Sequence, residues 1–132
     1  SKLLESNLNA GIFNEIMQNP LIKIIAPVSF FDMLVLEKHC RMIFTDSGGV
    51  QKESFFFRKP CIIMRSESEW VEIVKNGNAR ITDANKEDII KAYHYFQDAD
   101  SLTYPEIFGD GKAAHFICSK IVENHTNIVR NG

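Results

Sequence analysis

Long apolar runs are missing from this sequence, and so is a surplus of charge of one sign. No stretch approaches the roughly 20 apolar residues that a membrane span needs, and the start, SKLLESNLNAG, lacks the long apolar centre of a secretory leader. A place in the cytoplasm and no membrane partner are expected. Lys and Arg number 15 against 17 Asp and Glu, a formal net charge of -2 with both signs scattered, so no basic stripe exists for a nucleic-acid backbone. Any anion site must be local, and no nucleic acid is expected as a partner. Cysteine is scarce: Cys40, Cys61 and Cys118 are odd in number, far apart and in apolar surroundings. They read as buried reduced thiols, not as a disulfide framework or zinc site. The four histidines, His39, His94, His115 and His125, share no ligand spacing with one another or with the cysteines, and no metal or cofactor is expected. Repeats and low-complexity tracts are absent as well.

What is present is a chain of 132 residues, 45% of them hydrophobic, enough for one ordinary domain with a packed core. Helical and strand-like segments alternate at short intervals, which is an α/β rhythm. LNAGIFNEIMQN places Leu8, Ile12, Phe13, Ile16 and Met17 at helical spacing and is stopped by Pro20. LIKIIAP, from Leu21 to Pro27, is a compact apolar run that predicts a buried strand. SFFDMLVLEKHC predicts a helix capped by Ser29, and RMIFTD, PCIIMR and ARITD predict three further strands. NKEDIIKAYHYFQD and the segment from Ala113 to about Val122 predict the last two helices, separated by the loop DADSLTYPEIFGDG. Strands joined by helices in this order must be mostly parallel, and ligands of such sheets bind beyond the carboxyl ends of the strands.

TDSGGVQKESFFFRKP, Thr45 to Pro60, stands at one such end. Glycines there let a ligand approach the backbone where a Cβ would collide, and the start of the following helix offers unpaired N–H groups with a partial positive charge. Ser47, Gly48 and Gly49 are thus candidates to cradle a phosphate. Glu53 lies four residues after Gly49, on the same helix face, with a carboxylate suited to accept both hydroxyl protons of a ribose. Phosphate plus ribose means a nucleotide. A packing reading stands beside this one: Asp46 or Ser47 caps the helix, the glycines allow close strand-to-helix packing, and Glu53 is solvated. Likewise Phe55, Phe56 and Phe57 read as core packing rather than base stacking, and Glu69 and Glu72 as a solvated acidic face.

FTDSGGVQKESFFFRKPCIIMR resembles the signature of the non-hydrolysing UDP-N-acetylglucosamine 2-epimerases, in which a T-D-S-G-G-x-Q-x-E string is followed by K-P and an apolar strand ending in Arg. Lys59, Pro60 and Arg65 fall in register with it. The family then carries T-E-R-P-E, a glycine and a short strand, and near its end G-D-G-x-A, where this chain has SEWVE, Gly77, ARI and GDGKA. The resemblance runs from about Leu21 to Ile121. It implies a Rossmann-like three-layer parallel sheet over residues 1–132, similar to the C-terminal half of a GT-B type two-domain enzyme. The partners it implies are UDP or a UDP-sugar and a missing N-terminal half, with a homodimer as a further expectation. A start at Ser1 instead of Met is expected of a cut edge.

Residue by residue, the resemblance puts Ser47, Gly48 and Gly49 on the diphosphate and Glu53 on the ribose. For the uracil it implies a backbone group of Val28 and an apolar wall from Met33, both in APVSFFDM. Arg65, Glu69 and Trp70 are candidates for contact to the sugar nucleotide, but the usual Arg and Pro of T-E-R-P-E are Trp70 and Val71 here. An E-W-V-E variant is similar to that of relatives acting on diacetamido uronic-acid sugar nucleotides. The implied activity is epimerisation of UDP-N-acetylglucosamine to its manno epimer by elimination and re-addition of UDP, in the service of cell-surface polysaccharide synthesis. The family's catalytic acids and His belong to the other half and nothing here matches them, so the chain alone is expected to be inactive. Two other classes stay open: the C-terminal half of a GT-B glycosyltransferase, and a non-enzymatic domain that senses UDP-sugars.

Overall fold

The computed structural model describes residues 6–99 and 101–130, so Ser1 lies outside the described residues, as does the side chain of His125. The chain forms two compact units, Ser1–His39 and Cys40–Gly132. In the first, α1 (Ala10–Gln18) is started by Asn9, whose Oδ1 accepts the Gly11 N–H at 2.8 Å. α2 (Phe30–His39) is capped by Ser29 as the sequence predicts. Its hydroxyl accepts the Asp32 N–H at 3.2 Å and donates to the Asp32 carboxylate at 2.6 Å.

Between these helices the structure departs from the sequence reading, because Leu21–Pro27 forms no strand. A strand exists through its ladder, and the first N–H groups of this run are already taken by the turn after α1. Leu21 N donates to Asn19 Oδ1 at 2.9 Å and Ile22 N to Asn19 O at 3.1 Å. The apolar side chains are exposed, Leu21 by 91%.

The second unit runs β1 (Ile43–Thr45), α3 (Gly48–Phe56), β2 (Cys61–Ile63), α4 (Val71–Lys75), β3 (Ala79–Ile81), α5 (Lys86–Asp98) and α6 (Ala113–Arg130). The three strands are parallel in the order β1-β2-β3, at the places where the sequence predicts them. Parallel register puts Ile43, Cys61 and Ala79 side by side, and all three pack on one face with Phe55 of α3 and Ile73 and Val74 of α4. On the opposite face Ile62 packs with Ala92 and Phe96 of α5. Covered on both sides, β2 is buried at all three positions, which is why its sequence is a continuous apolar run without alternation. The fold is therefore α/β in three layers, with helices on both faces of the sheet.

α3 ends in a Schellman motif. The Lys59 N–H returns to Ser54 O at 2.8 Å and the Arg58 N–H to Phe55 O at 3.0 Å. Arg58 is held at φ 57°, a left-handed conformation that costs a side-chain-bearing residue roughly 1–2 kcal/mol. Replacing Arg58 by Gly is expected to raise stability by about 0.5–1 kcal/mol, part of the relief being offset by the greater freedom of Gly in the unfolded chain. Urea denaturation of the two proteins checks this.

The loop after α5 is tied back to β3 by buried Asn78, whose Nδ2 donates to Thr103 O at 2.9 Å. α6 continues to Arg130, past the end near Val122 that the sequence suggests, since ENHTNIVR contains no Gly or Pro to stop it. Phe116, Ile117, Ile121 and Val122 are each more than half exposed along α6. Cys118 on the same helix is exposed too, a correction to the reading of three buried thiols. Only Cys61 is fully buried, and burial pushes its pKa up to about 11.

Candidate functional site

The carboxyl ends of the strands assemble the site. Register aligns Thr45 with Ile63, so Ser47 and Arg65, each two residues further on, leave the sheet from neighbouring strands about 5 Å apart. The chain turns at Thr45, whose buried hydroxyl oxygen accepts the Ser47 N–H at 3.0 Å. Ser47 then occupies the N-cap position of α3 with extended dihedrals, but its hydroxyl makes no capping bond. Gly48 and Gly49 form the first turn, where N–H groups have no acceptor within the helix. The result is an open shelf of a free hydroxyl and helix-terminal N–H groups, with Ser47 and Gly49 exposed and Gly48 half-buried.

The packing reading of the glycines meets a direct test in this geometry. A Cβ on Gly49 would approach nothing among the described residues nearer than Ser47 Oγ at 3.8 Å, an ordinary contact, so none of these neighbours requires glycine there. A Cβ on Gly48 would meet Glu69 Oε2 at 3.2 Å, the end of a flexible side chain. Neither glycine has a positive φ. One helical turn on, Glu53 is half-buried and its carboxylate has no partner among the described residues.

Arg65 and Glu69 pair at 2.9 Å beside Gly48. The Glu69 carboxyl is held below its ordinary range by its own backbone N–H and by the Arg65 guanidinium. Exposed as the pair is, it adds little to stability, and its consequence is local: a guanidinium and a carboxylate stand next to the start of α3. Trp70 follows, half-buried, with its indole N–H donated to Gly48 O at 2.7 Å. Its ring meets Phe108 edge-on at 5.7 Å, and the Lys52 ammonium lies over it at 4.3 Å. Of the three adjacent phenylalanines Phe55 is buried, Phe57 is half-buried and Phe56 is 58% exposed, so core packing holds for the first only in full.

Sequence reasoning missed Gln51, Lys52 and the hydroxyl of Ser68. Gln51 is fully buried, its Oε1 accepts the Ser68 hydroxyl at 2.6 Å, and its Nε2 has no partner among the described residues. The available signal was spacing, since Gln51 lies one turn after Gly48 on the face of α3 that must meet the sheet. Val28 and Met33 belong to the first unit, Val28 just before α2 and Met33 in its first turn, and both are exposed. Two hollows among the described residues lie away from Gly48 and Gly49: about 650 Å³ around Gly109–Lys112 and Phe116, and about 450 Å³ beside β3, Arg80 and Tyr95. Among the described residues no group of three His, Cys, Asp or Glu would hold a metal ion, and no helix is long and apolar enough to cross a membrane.

Residues 4–122 match the UDP-N-acetylglucosamine 2-epimerase family. The chain belongs to that family. It is 39% identical over 117 residues to a UDP-N-acetylglucosamine 2-epimerase homolog of Methanococcus maripaludis, covering 89% of this chain and 31% of that protein. It is 33% identical over 102 residues to the UDP-2,3-diacetamido-2,3-dideoxy-D-glucuronate 2-epimerase of Pseudomonas aeruginosa, covering 77% of this chain and 29% of that one. Among solved structures it is similar to the Methanocaldococcus jannaschii UDP-GlcNAc 2-epimerase in complex with UDP-GlcNAc and UDP. There the TM-score is 0.76 and the identity 34%, over 92% of this chain and 33% of that enzyme. Neighbours of this kind have the GT-B architecture, so the α/β reading and the family resemblance both stand. The chain spans about a third or less of the length of these relatives.

Proposed function

We propose that this chain is the nucleotide-binding half of a sugar-nucleotide 2-epimerase. The observation that carries the reading is Gly49: it stands in the first turn of a helix at a strand's carboxyl end, and nothing among the described residues fills the place its missing Cβ would take. A diphosphate would take that place, held by the Ser47 hydroxyl and the N–H groups of Gly48 and Gly49, with the ribose hydroxyls on Glu53. Arg65 offers a cation for the phosphate or the sugar, with Glu69, which stands beside Gly48, as its present counter-ion.

In an elimination, the bond from sugar to phosphate breaks and negative charge gathers on the departing diphosphate. N–H groups fixed at a helix start stabilise that charge more in the transition state than in the ground state, which is the contribution this half makes. Moving the proton at the epimerised carbon requires a general base, a role that the family likeness assigns to the other half. Trp70 and Val71, where the family has Arg and Pro, keep a second substrate in view, a UDP-diacetamido uronic acid like that named for the Pseudomonas aeruginosa relative.

The test is incubation of the chain with UDP-N-acetylglucosamine, alongside calorimetric titration with UDP on the wild type and on Glu53→Ala. The expected result is UDP binding that the substitution weakens about tenfold, with no epimer formed. Manno epimer made by this chain alone would overturn the division of labour between halves. UDP binding unaffected by Glu53→Ala would remove the ribose assignment.

A further inference from the structure

The anion shelf stands on an intrinsically weak helix start. Ser47 makes no side-chain cap, and each of the two glycines that follow is a poorer helix former than alanine by about 1 kcal/mol. Yet the first turn is formed, with the Gln51 N–H on Ser47 O at 3.1 Å. We propose that Trp70 is a positioning residue that latches this turn in the geometry that receives the diphosphate.

Three bonds make the latch. The Trp70 indole N–H donates to Gly48 O at 2.7 Å, the Trp70 backbone N–H donates to Ser68 Oγ at 3.0 Å, and the Ser68 hydroxyl donates to Gln51 Oε1 at 2.6 Å. Both ends of the chain of bonds are on α3, Gly48 at its first residue and Gln51 one turn on, so the loop after β2 grips the opening turn at two points. Gln51 is fully buried, and the Phe108 ring and the Lys52 ammonium pack together against the indole, at 5.7 and 4.3 Å from its centre. Because its one polar side-chain atom is engaged on Gly48 O, Trp70 acts through the helix and not by a hydrogen bond to the ligand. Fixing the free N–H groups of Gly48 and Gly49 in advance spares the ligand the entropy of ordering them, which is where preorganised sites gain affinity.

This inference rests on the diphosphate reading, and the experiment separates the two. Trp70→Phe keeps an aromatic ring in the cluster and removes the indole N–H, Ser68→Ala cuts the second link, and Ser68→Thr retains the hydroxyl. Each full chain is titrated with UDP by calorimetry, and amide hydrogen exchange is followed without ligand at Gln51 and at the core residue Ile63. Trp70→Phe and Ser68→Ala are expected to weaken UDP about tenfold and to speed Gln51 exchange by a similar factor. Ile63 exchange is expected to stay as in the wild type, and Ser68→Thr to restore both readouts. Wild-type affinity and wild-type Gln51 exchange in Trp70→Phe would overturn the latch while leaving the diphosphate reading intact. Equal acceleration at Gln51 and Ile63 would also overturn it, by showing only a general loss of stability. A wild type that ignores UDP would overturn the diphosphate reading and the positioning role with it.

Discussion

Gly49→Ala is expected to leave the fold at least as stable as before and to weaken UDP binding by a factor of about 100, roughly 2.7 kcal/mol. The two halves of that expectation come from separate observations. Stability is retained because the added methyl meets only Ser47 Oγ at 3.8 Å and the backbone is not in the left-handed region. Alanine is also the better helix former, by up to about 1 kcal/mol, so the thermal midpoint holds or rises. Binding is lost because the methyl would stand where the diphosphate approaches the helix start. Packing and ligand approach make opposite forecasts here. A glycine needed for packing gives a variant that melts early, and a glycine needed for a ligand gives one that melts normally and fails to bind. Calorimetry for the melt and for the titration reads both on one preparation. UDP affinity unchanged in Gly49→Ala would take the diphosphate away from this turn.

Ile63→Ala is expected to cost 2–5 kcal/mol, a large part of the 5–15 kcal/mol typical of a domain. Ile63 is fully buried in the middle strand, with β1 on one side and β3 on the other, and packs in the cluster with Phe55, Cys61, Ile73 and Ala79. Removing its methyls opens a cavity among residues fixed by two ladders, which leaves them little room to collapse. Phe44→Ala serves as the contrast. Phe44 is a large side chain on an outer strand and is 42% exposed, so its loss costs about 1 kcal/mol. Urea denaturation of both variants checks the difference, and a cost below 1 kcal/mol at Ile63 would mean that the two-sided burial of β2 has been misjudged. The same substitution also tests whether the shelf depends on the sheet, because Ile63 is in register with Thr45, whose hydroxyl turns the chain into Ser47.

Much of this was written in the sequence because it is local. The strands at Ile43, Cys61 and Ala79 carry compact apolar runs bounded by polar or turn residues, and Ser29 announces the helix it caps. The hand-over from strand to helix at Ser47 was legible for the same reason, since paired glycines after a strand have few other uses. Leu21–Pro27 misled because apolar composition reports a wish for burial, whereas a strand also needs a neighbour to pair with. Arg58 hid a left-handed residue behind a side chain that rarely adopts one. The role of Trp70 was beyond reach for a different reason: its partner, Gly48 O, is 22 residues away, and only the folded loop after β2 brings donor and acceptor together. Gln51 and Ser68 are likewise polar residues whose meaning lies in each other. Cys118 read as buried because its neighbours Phe116, Ile117 and Ile121 are apolar, yet all four are exposed.

The central claim is a place: the diphosphate of UDP on the first turn of α3. Amide NMR spectra recorded while UDP is added to the chain test it most directly, because each glycine reports for itself. The account predicts that the largest shifts fall on Ser47, Gly48 and Gly49, with smaller ones at Glu53 and Arg65. Shifts centred instead on Gly109–Lys112 or on the hollow beside Arg80 and Tyr95, with Gly48 and Gly49 unmoved, would contradict it.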